Sequence, residues 1–135
     1  MLVDCHTHLD PFPDNEVRLI LDRAKAVDVG LVVTAGTTKL SSERAIHLSE
    51  IFPEIYAGIG IHPMDITESI NQETYTQLMD LAKSNGKVVA ISEIGLDFLY
   101  GAPDRALQYQ VFREQIRLAR ECQLPIIFHS RESHP

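Results

Sequence analysis

Short apolar segments alternate with amphipathic segments along the whole chain, and this alternation constrains the fold more than any other feature of the sequence. Each apolar segment is rich in Ile and Val and is bounded by Gly, Pro or polar residues, as buried parallel strands are. The predicted order is therefore β-α-β-α-β-α-β-α-β, which requires a parallel sheet with right-handed crossovers. The five predicted strands run from Leu2 to Thr7, Leu31 to Ala35, Ile55 to Ile61, Val88 to Ile94 and Pro125 to His129.

The ends of the four predicted helices follow from capping residues and helix breakers. A residue whose side chain accepts a hydrogen bond favours a helix start, and glycine or proline favours its end. The first helix has an apolar stripe of Val17, Ile20, Leu21, Ala24 and Val27. The first helix is predicted to have Asp14 as its N-cap and to end before Gly30. The second is predicted to start near Ser41 or Ser42 and to end before Pro53. The third is predicted to stop at Gly86, and the fourth to run from about Asp104 to Cys122.

Two architectures fit this order: an open doubly wound sheet and a (β/α)8 barrel. An open sheet of five strands is complete at 135 residues. A barrel needs eight strands and about 250 residues, so this chain would supply about its first five strands and four helices. Periodicity does not choose between them, and the polar residues at the strand ends become the deciding feature.

Composition excludes several functional classes. The chain has a net charge of −7 and no basic cluster of the kind that wraps nucleic acid, so a substrate with phosphates would need a local site such as bound cations. Cys5 and Cys122 have neither metal-type spacing nor the pattern of a disulfide framework, which is typical of a reduced, cytoplasmic setting. No basic leader and no apolar run of roughly 20 residues is present, so no membrane partner is expected.

Two histidines lie at the end of the first predicted strand, in the sequence DCHTHLD. Because side chains in a strand alternate with a period of two, His6 and His8 point to the same side. The carboxyl ends of parallel strands are where α/β folds place their active sites. Two neighbouring imidazoles can share one metal ion, although an HxH pair also occurs by chance near a turn.

Further strand ends carry groups that can bind metal or transfer protons. Glu93 lies in the apolar run VVAISEI, where a carboxylate is rare unless it is paired or binds a cation. His129 ends the fifth strand, and His62 follows the third strand in GIGIHP, where it can donate a proton or contact an oxygen. Each has a simple structural explanation when taken alone. Together with His6 and His8, Glu93 and His129 suit one metal ion, or two if the carboxylate bridges them.

Motifs of other enzyme classes are missing from the sequence. There is no GxGxxG or GxxxxGK[ST] loop for nucleotide phosphates, and no GxSxG elbow of a serine hydrolase. His47 lies within a predicted helix and is expected at the surface.

Four motifs together resemble the TatD family of metal-dependent deoxyribonucleases, which belongs to the amidohydrolase-like barrels. They are DCHTHLD, GIGIHP, SEIGLDF and PIIFHSRES, in family order and from one end of the chain to the other. The resemblance implies a TIM-type (β/α)8 barrel that hydrolyses phosphodiester bonds in DNA. It also implies two bound divalent metal ions, each of which could be Mg, Mn or Zn. It also implies that His6 and His8 hold one metal, that Glu93 bridges both, and that His129 holds the second.

Three more residues take roles from the same resemblance. His62 and Asp97 occupy family motif positions near the site and are candidate catalytic residues. Arg131 is a candidate for substrate binding, since a guanidinium forms bidentate pairs with phosphate oxygens.

The family pattern continues for three further strands, which carry another histidine and an aspartate for the metals, whereas this sequence ends at Pro135. Residues 1–135 are therefore expected to form the N-terminal portion of a single hydrolase domain. Two alternatives stay open: a hydrolase of amide or ester bonds on the same barrel, and a truncated, non-catalytic fragment. Five strands of eight would also leave the first and fifth as open edges, so self-association through these edges is expected.

Overall fold

Five strands and four helices alternate along the chain in the predicted order. The structure is a computed structural model and describes residues 1–134. The strands are β1 (Leu2–Thr7), β2 (Val29–Ala35), β3 (Ile55–Ile59), β4 (Val88–Asp97) and β5 (Ile126–Arg131). The helices are α1 (Asp14–Ala26), α2 (Lys39–Ile51), α3 (Gln72–Ala82) and α4 (Arg105–Cys122), and a short 3₁₀ helix (Pro63–Asp65) lies between β3 and α3.

All five strands are parallel and follow one another across the sheet in the order β1-β2-β3-β4-β5. An open doubly wound sheet reverses its strand order at a switch point, where its ligand binds. A barrel wall has no such reversal, because every crossover advances in the same direction around the axis. The consecutive order therefore excludes the doubly wound alternative and identifies the sheet as five strands of a (β/α)8 barrel.

Two apolar clusters fix the helices against the sheet. The larger contains Leu78 of α3, Ile91 of β4 and Leu118 of α4, all of which are almost completely buried. The smaller contains Val17 of α1 and Leu48 of α2, both fully buried. Burial of each such side chain stabilises the fold by about 1.5–3 kcal/mol. The packed helices therefore hold the strands, and with them the polar residues at the strand ends.

β1 and β5 form the two edges of the sheet within the described residues. Leu2 and Val3 of β1 are 60% and 49% exposed, and Phe128 of β5 is 66% exposed. Exposed apolar side chains on edge strands favour pairing with further strands. Self-association through these two edges stays a prediction.

The start of α1 differs from the predicted one because of a contact with α2. Pro13 is the N-cap and Asp14 is the first helical residue, so the assignment of Asp14 as N-cap is wrong. The Asp14 carboxylate lies 2.6 Å from Arg44 Nη2 and is therefore used in a tertiary ion pair. α2 starts earlier than predicted, because Thr38 is its N-cap and forms a capping box with Ser41.

Two predicted helix ends are also wrong, because neither helix uses the nearby glycine as a cap. α1 ends before Val27, which is 68% exposed instead of lying in the core. Gly30 belongs to β2, which pairs with β1 from Val29 onward. α3 ends before Lys83, well ahead of Gly86.

No helix within residues 1–134 combines the length and the apolar character that crossing a bilayer requires.

Candidate metal centre

The imidazoles of His6 in β1, of His8 directly after β1 and of His129 in β5 meet the carboxylate of β4 near the carboxyl ends of the strands. Glu93 Oε1 lies 3.1 Å from His6 Nε2, and Glu93 Oε2 lies 3.1 Å from His8 Nε2. Glu93 Oε1 is also 3.8 Å from His129 Nδ1. Glu93 is 8% exposed. The structure therefore brings all four predicted metal ligands together around one buried carboxylate.

A local irregularity in β4 directs Glu93 into this position. Ser92 pairs with Ile127 and Ile94 pairs with Phe128, so Glu93 has no partner residue on β5. Such a bulge bends a strand and changes the direction of a side chain, and bulges are frequent next to active sites. The carboxylate therefore leaves the regular alternation of the strand at the point where the histidines of β1 and β5 lie.

Two groups of potential ligand atoms share Glu93. The first consists of His6, His8 and Glu93, and the second of His62, Glu93 and His129; within each group the ligand atoms lie within 4.8 Å of one another. Imidazole nitrogen and carboxylate oxygen at metal distances of about 2.0–2.2 Å are the usual donors for Zn²⁺ and similar divalent ions. The donor set therefore fits one or two divalent ions.

The hydrogen bond of His8 on the far side of its ring decides the tautomer of the neutral ring. His8 Nδ1 lies 3.0 Å from the carbonyl oxygen of Ala35, and a carbonyl can only accept, so Nδ1 carries the hydrogen. In the neutral ring Nε2 then presents a lone pair to the Glu93 carboxylate, 3.1 Å away. Two acceptors at this distance repel each other unless a cation, either a proton or a metal ion, lies between them. A backbone carbonyl that orients the second ring nitrogen is typical of metal-binding histidines.

A chain of hydrogen bonds connects His62, His129 and Asp97. The Met64 amide donates to His62 Nδ1 over 3.0 Å, so the hydrogen of the neutral His62 ring is on Nε2. His62 Nε2 lies 3.1 Å from His129 Nδ1, and His129 Nε2 lies 2.9 Å from Asp97 Oδ2. Burial and the neighbouring His129 lower the pKa of His62, which favours its neutral form near pH 7. Each ring in the chain can therefore donate to the next acceptor.

Asp97 and Arg131, predicted as a catalytic and a substrate-binding residue, form an ion pair in the structure. Arg131 Nε donates to Asp97 Oδ2 over 2.8 Å, Arg131 Nη2 lies 2.8 Å from the same oxygen, and the Leu99 amide donates to Oδ1 over 3.0 Å. Burial raises the pKa of Asp97, but the bonds from Arg131, Leu99 and His129 outweigh it and hold the pKa at about 2. Asp97 is fully buried, whereas the Arg131 side chain is 47% exposed. Both functional roles remain predictions.

The charge of Asp97 should stabilise the fold at neutral pH. A carboxylate with a pKa lowered from 3.8 to about 2 contributes stability that is present above its unfolded pKa and lost as the pH falls through 2. We expect Asp97→Asn to lower the free energy of unfolding at pH 7 by on the order of 2 kcal/mol, with a smaller difference at pH 2.5. Urea denaturation at both pH values measures this. The exposed Asp80→Asn is the control, and a loss independent of pH would contradict the expectation.

A cavity of about 590 Å³ opens at this face of the sheet. His8, His62, Glu93, His129 and Arg131 all line it, whereas His6 and Asp97 do not line it but contact the lining residues Glu93 and His129. Three further polar residues line the cavity, and the sequence alone did not single them out: Asp10, Thr37 and Asp65. Asp10 ends the motif DCHTHLD, which is the signal that could have pointed to it. His47 is exposed, as predicted, and it does not line this cavity.

Comparison with known sequences assigns this chain to a family. A sequence model of the family described as TatD related DNase matches residues 3–135. The chain belongs to this family. The resemblance read from the four sequence motifs is therefore confirmed.

TatD-related relatives match this chain over about half of their own length. The uncharacterized metal-dependent hydrolase YabD of Bacillus subtilis (strain 168) is 38% identical over 134 residues, which cover 98% of this chain and 52% of YabD. The 3'-5' ssDNA/RNA exonuclease TatD of Cronobacter sakazakii is 35% identical over 121 residues, covering 90% and 45%. The crystal structure of YjjV, a TatD homolog of Escherichia coli K12, has a TM-score of 0.84 and 33% identity, covering 98% of this chain and 52% of that one. These matches confirm the predicted fold class.

Proposed function

We propose that this chain carries part of a divalent-metal-dependent hydrolase that cleaves phosphodiester bonds in DNA. The observation that supports it best is the pair of acceptors formed by His8 Nε2 and the Glu93 carboxylate, 3.1 Å apart, with His8 Nδ1 committed to a carbonyl. His6 approaches the same carboxylate at the same distance from the other side. A divalent ion between these groups would satisfy all three at once.

Different residues of the centre would hold the two ions. One ion would be held by His6, His8 and Glu93 and a second by Glu93 and His129, with His62 beside the second group. Divalent ions in such a site stabilise negative charge on a phosphoryl oxygen and lower the pKa of water. The protein side chains orient the donors, and His62, neutral near pH 7, can hold a proton on Nε2 at the cavity wall.

DNA is the proposed substrate because of the family and because of the charges around the cavity. A relative bears the name 3'-5' ssDNA/RNA exonuclease, and the matching family is described as a DNase family. With a net charge of −7, the chain needs bound cations to attract a phosphodiester, and the metal centre would supply them. Arg131 lines the cavity with a half-exposed guanidinium, which can contact a phosphate while its Nε and Nη2 remain on Asp97.

Metal binding and bond specificity test the proposal separately. Calorimetry with Mn²⁺ or Zn²⁺ should show binding to the parent chain, and the double variant His6→Ala with His8→Ala should lose at least one ion. His47→Ala, which removes an exposed histidine of α2, should leave the stoichiometry unchanged. In the presence of Mn²⁺, single-stranded DNA and bis(p-nitrophenyl) phosphate should be hydrolysed in preference to p-nitrophenyl acetate. Unchanged stoichiometry in the double variant, or preference for the acetate ester, would overturn the proposal.

A further inference from the structure

Three glutamines of α4 each bind the backbone N–H and the backbone C=O of a single distant residue. Gln108 binds Asp97 in this way at 2.8 and 2.7 Å, and its amide nitrogen also donates to the Pro103 carbonyl. Gln115 binds Ile61 at 2.7 and 3.1 Å. Gln110 binds Ile70 with both bonds at 3.1 Å. A primary amide presents one acceptor and two donors, so it can replace the neighbouring strand that such a residue lacks.

The positions that these glutamines hold differ in their relation to the metal centre. Ile61 directly precedes His62, and Asp97 itself accepts from His129. Ile70 lies in the loop before α3 and precedes no residue of the centre. Two of the three contacts therefore fix the backbone next to the site, and the third fixes an unrelated loop.

Both glutamines that bind backbone next to the site are buried. Gln108 and Gln115 are 0% and 1% exposed and share the buried stripe of α4 with Val111 and Leu118. An apolar side chain at these positions would avoid the cost of burying an amide, which is large unless its hydrogen bonds are made. Each buried amide thus holds the backbone groups of one particular residue, which an apolar side chain cannot do.

The backbone that leads to His62 depends on such contacts because it has left the sheet. β3 ends at Ile59, so the following residues lack partners on a neighbouring strand. The buried Ser42 of α2 binds both the N–H and the C=O of Gly60, Gln115 binds those of Ile61, and the His62 amide donates to the Thr37 carbonyl. Side chains from two helices and a backbone carbonyl from one loop thus replace the missing strand up to the imidazole.

We propose that Gln115 and Gln108 are positioning residues of the metal centre, which set the places of His62 and Asp97 through their backbones. The inference rests on the proposed function, since it assumes that these side chains serve the metal site. The hydrogen-bond chain from His62 through His129 to Asp97 is held at both ends by α4. A shift of either end therefore breaks the contacts that orient the His129 ring toward Glu93.

Matched substitutions separate positioning from general stabilisation. Gln115→Met and Gln110→Met each remove the same two hydrogen bonds and keep a similar volume, one beside the site and one away from it. We expect Gln115→Met to change the ¹⁵N ring signals of His62 and His129 in the metal-free chain. We also expect it to weaken Mn²⁺ binding by about 10-fold or more, the range for residues that support metal ligands. Gln110→Met should leave both readouts at their parent values.

Gln108→Met tests the other end of the chain and should affect the ring signals of His129 more than those of His62. The proposal is overturned if folded Gln115→Met and Gln108→Met keep the parent ring signals. It is also overturned if both fail to fold while Gln110→Met folds, because the two buried glutamines would then serve the core alone. If the parent chain binds no Mn²⁺, the proposed function fails, yet the ring signals of the metal-free chain still decide the positioning role.

Discussion

Replacing Glu93 with glutamine should remove divalent-metal binding from both ligand groups of the centre. Its carboxylate belongs to both groups and lies within 3.1 Å of His6 and of His8. The amide keeps one neutral oxygen and loses the negative charge that attracts a hard cation, so affinity for Mn²⁺ should fall by more than about 100-fold, beyond the usual effect of a supporting residue. The fold should persist, because the substitution preserves the side-chain volume and removes a buried charge. Calorimetry and circular dichroism measure the two quantities.

The control for this prediction is the same substitution at an exposed position. Glu73→Gln changes the first turn of α3, outside the cavity, and should leave Mn²⁺ affinity unchanged. Asp97→Asn should weaken binding less than Glu93→Gln does, since Asp97 reaches the centre only through His129. Mn²⁺ affinity of Glu93→Gln within tenfold of the parent value would show that Glu93 is not a ligand.

The positions of the metal-centre residues could be predicted because strand geometry places them without knowledge of packing. A period of two puts His6 and His8 on one side of β1, and parallel strands bring their carboxyl ends to a common edge. His129 follows from the same rule, whereas the direction of the Glu93 side chain also depends on the irregularity of β4 between Ser92 and Ile94. The structure agrees, since His6 of β1 and His8 directly after this strand both contact the Glu93 carboxylate. Local periodicity and topology are therefore sufficient for the histidines, and the irregularity of β4 accounts for the direction of Glu93.

The remaining features depend on partners that are distant in the sequence. The Arg131–Asp97 pair spans 34 positions, and the Gln115 contact with Ile61 spans 54. The only sequence signal for Gln115 is a polar residue on the apolar stripe of an amphipathic helix, and this signal does not name a partner. The N-cap of α1 was predicted wrongly for the same reason, because the carboxylate of Asp14 is used by Arg44 of another helix. Tertiary contacts override local preference at each of these positions.

Gly95 offers the second test with a large expected effect, because the backbone next to the centre leaves no room for a side chain. Gly95 has a φ of 155° and pairs with His129 across β4 and β5. A Cβ added there would lie 1.9 Å from the His129 carbonyl oxygen and 3.0 Å from its amide nitrogen, both backbone atoms. Gly95→Ala should therefore lower the free energy of unfolding by about 3 kcal/mol or more, as backbone strain combined with a steric clash does.

The same substitution should also weaken metal binding, because separating β4 from β5 moves His129 away from Glu93, which now lies 3.8 Å from its Nδ1 atom. Gly86→Ala is the matched control: a Cβ there meets no atom within 4 Å, and the residue has no positive φ. Its unfolding free energy should change by less than about 1 kcal/mol. Urea denaturation and Mn²⁺ calorimetry on both variants measure the two effects. Equal stability of the two variants would show that β4 and β5 separate at Gly95 without cost. Parent-like Mn²⁺ affinity in Gly95→Ala would show that His129 is not a metal ligand.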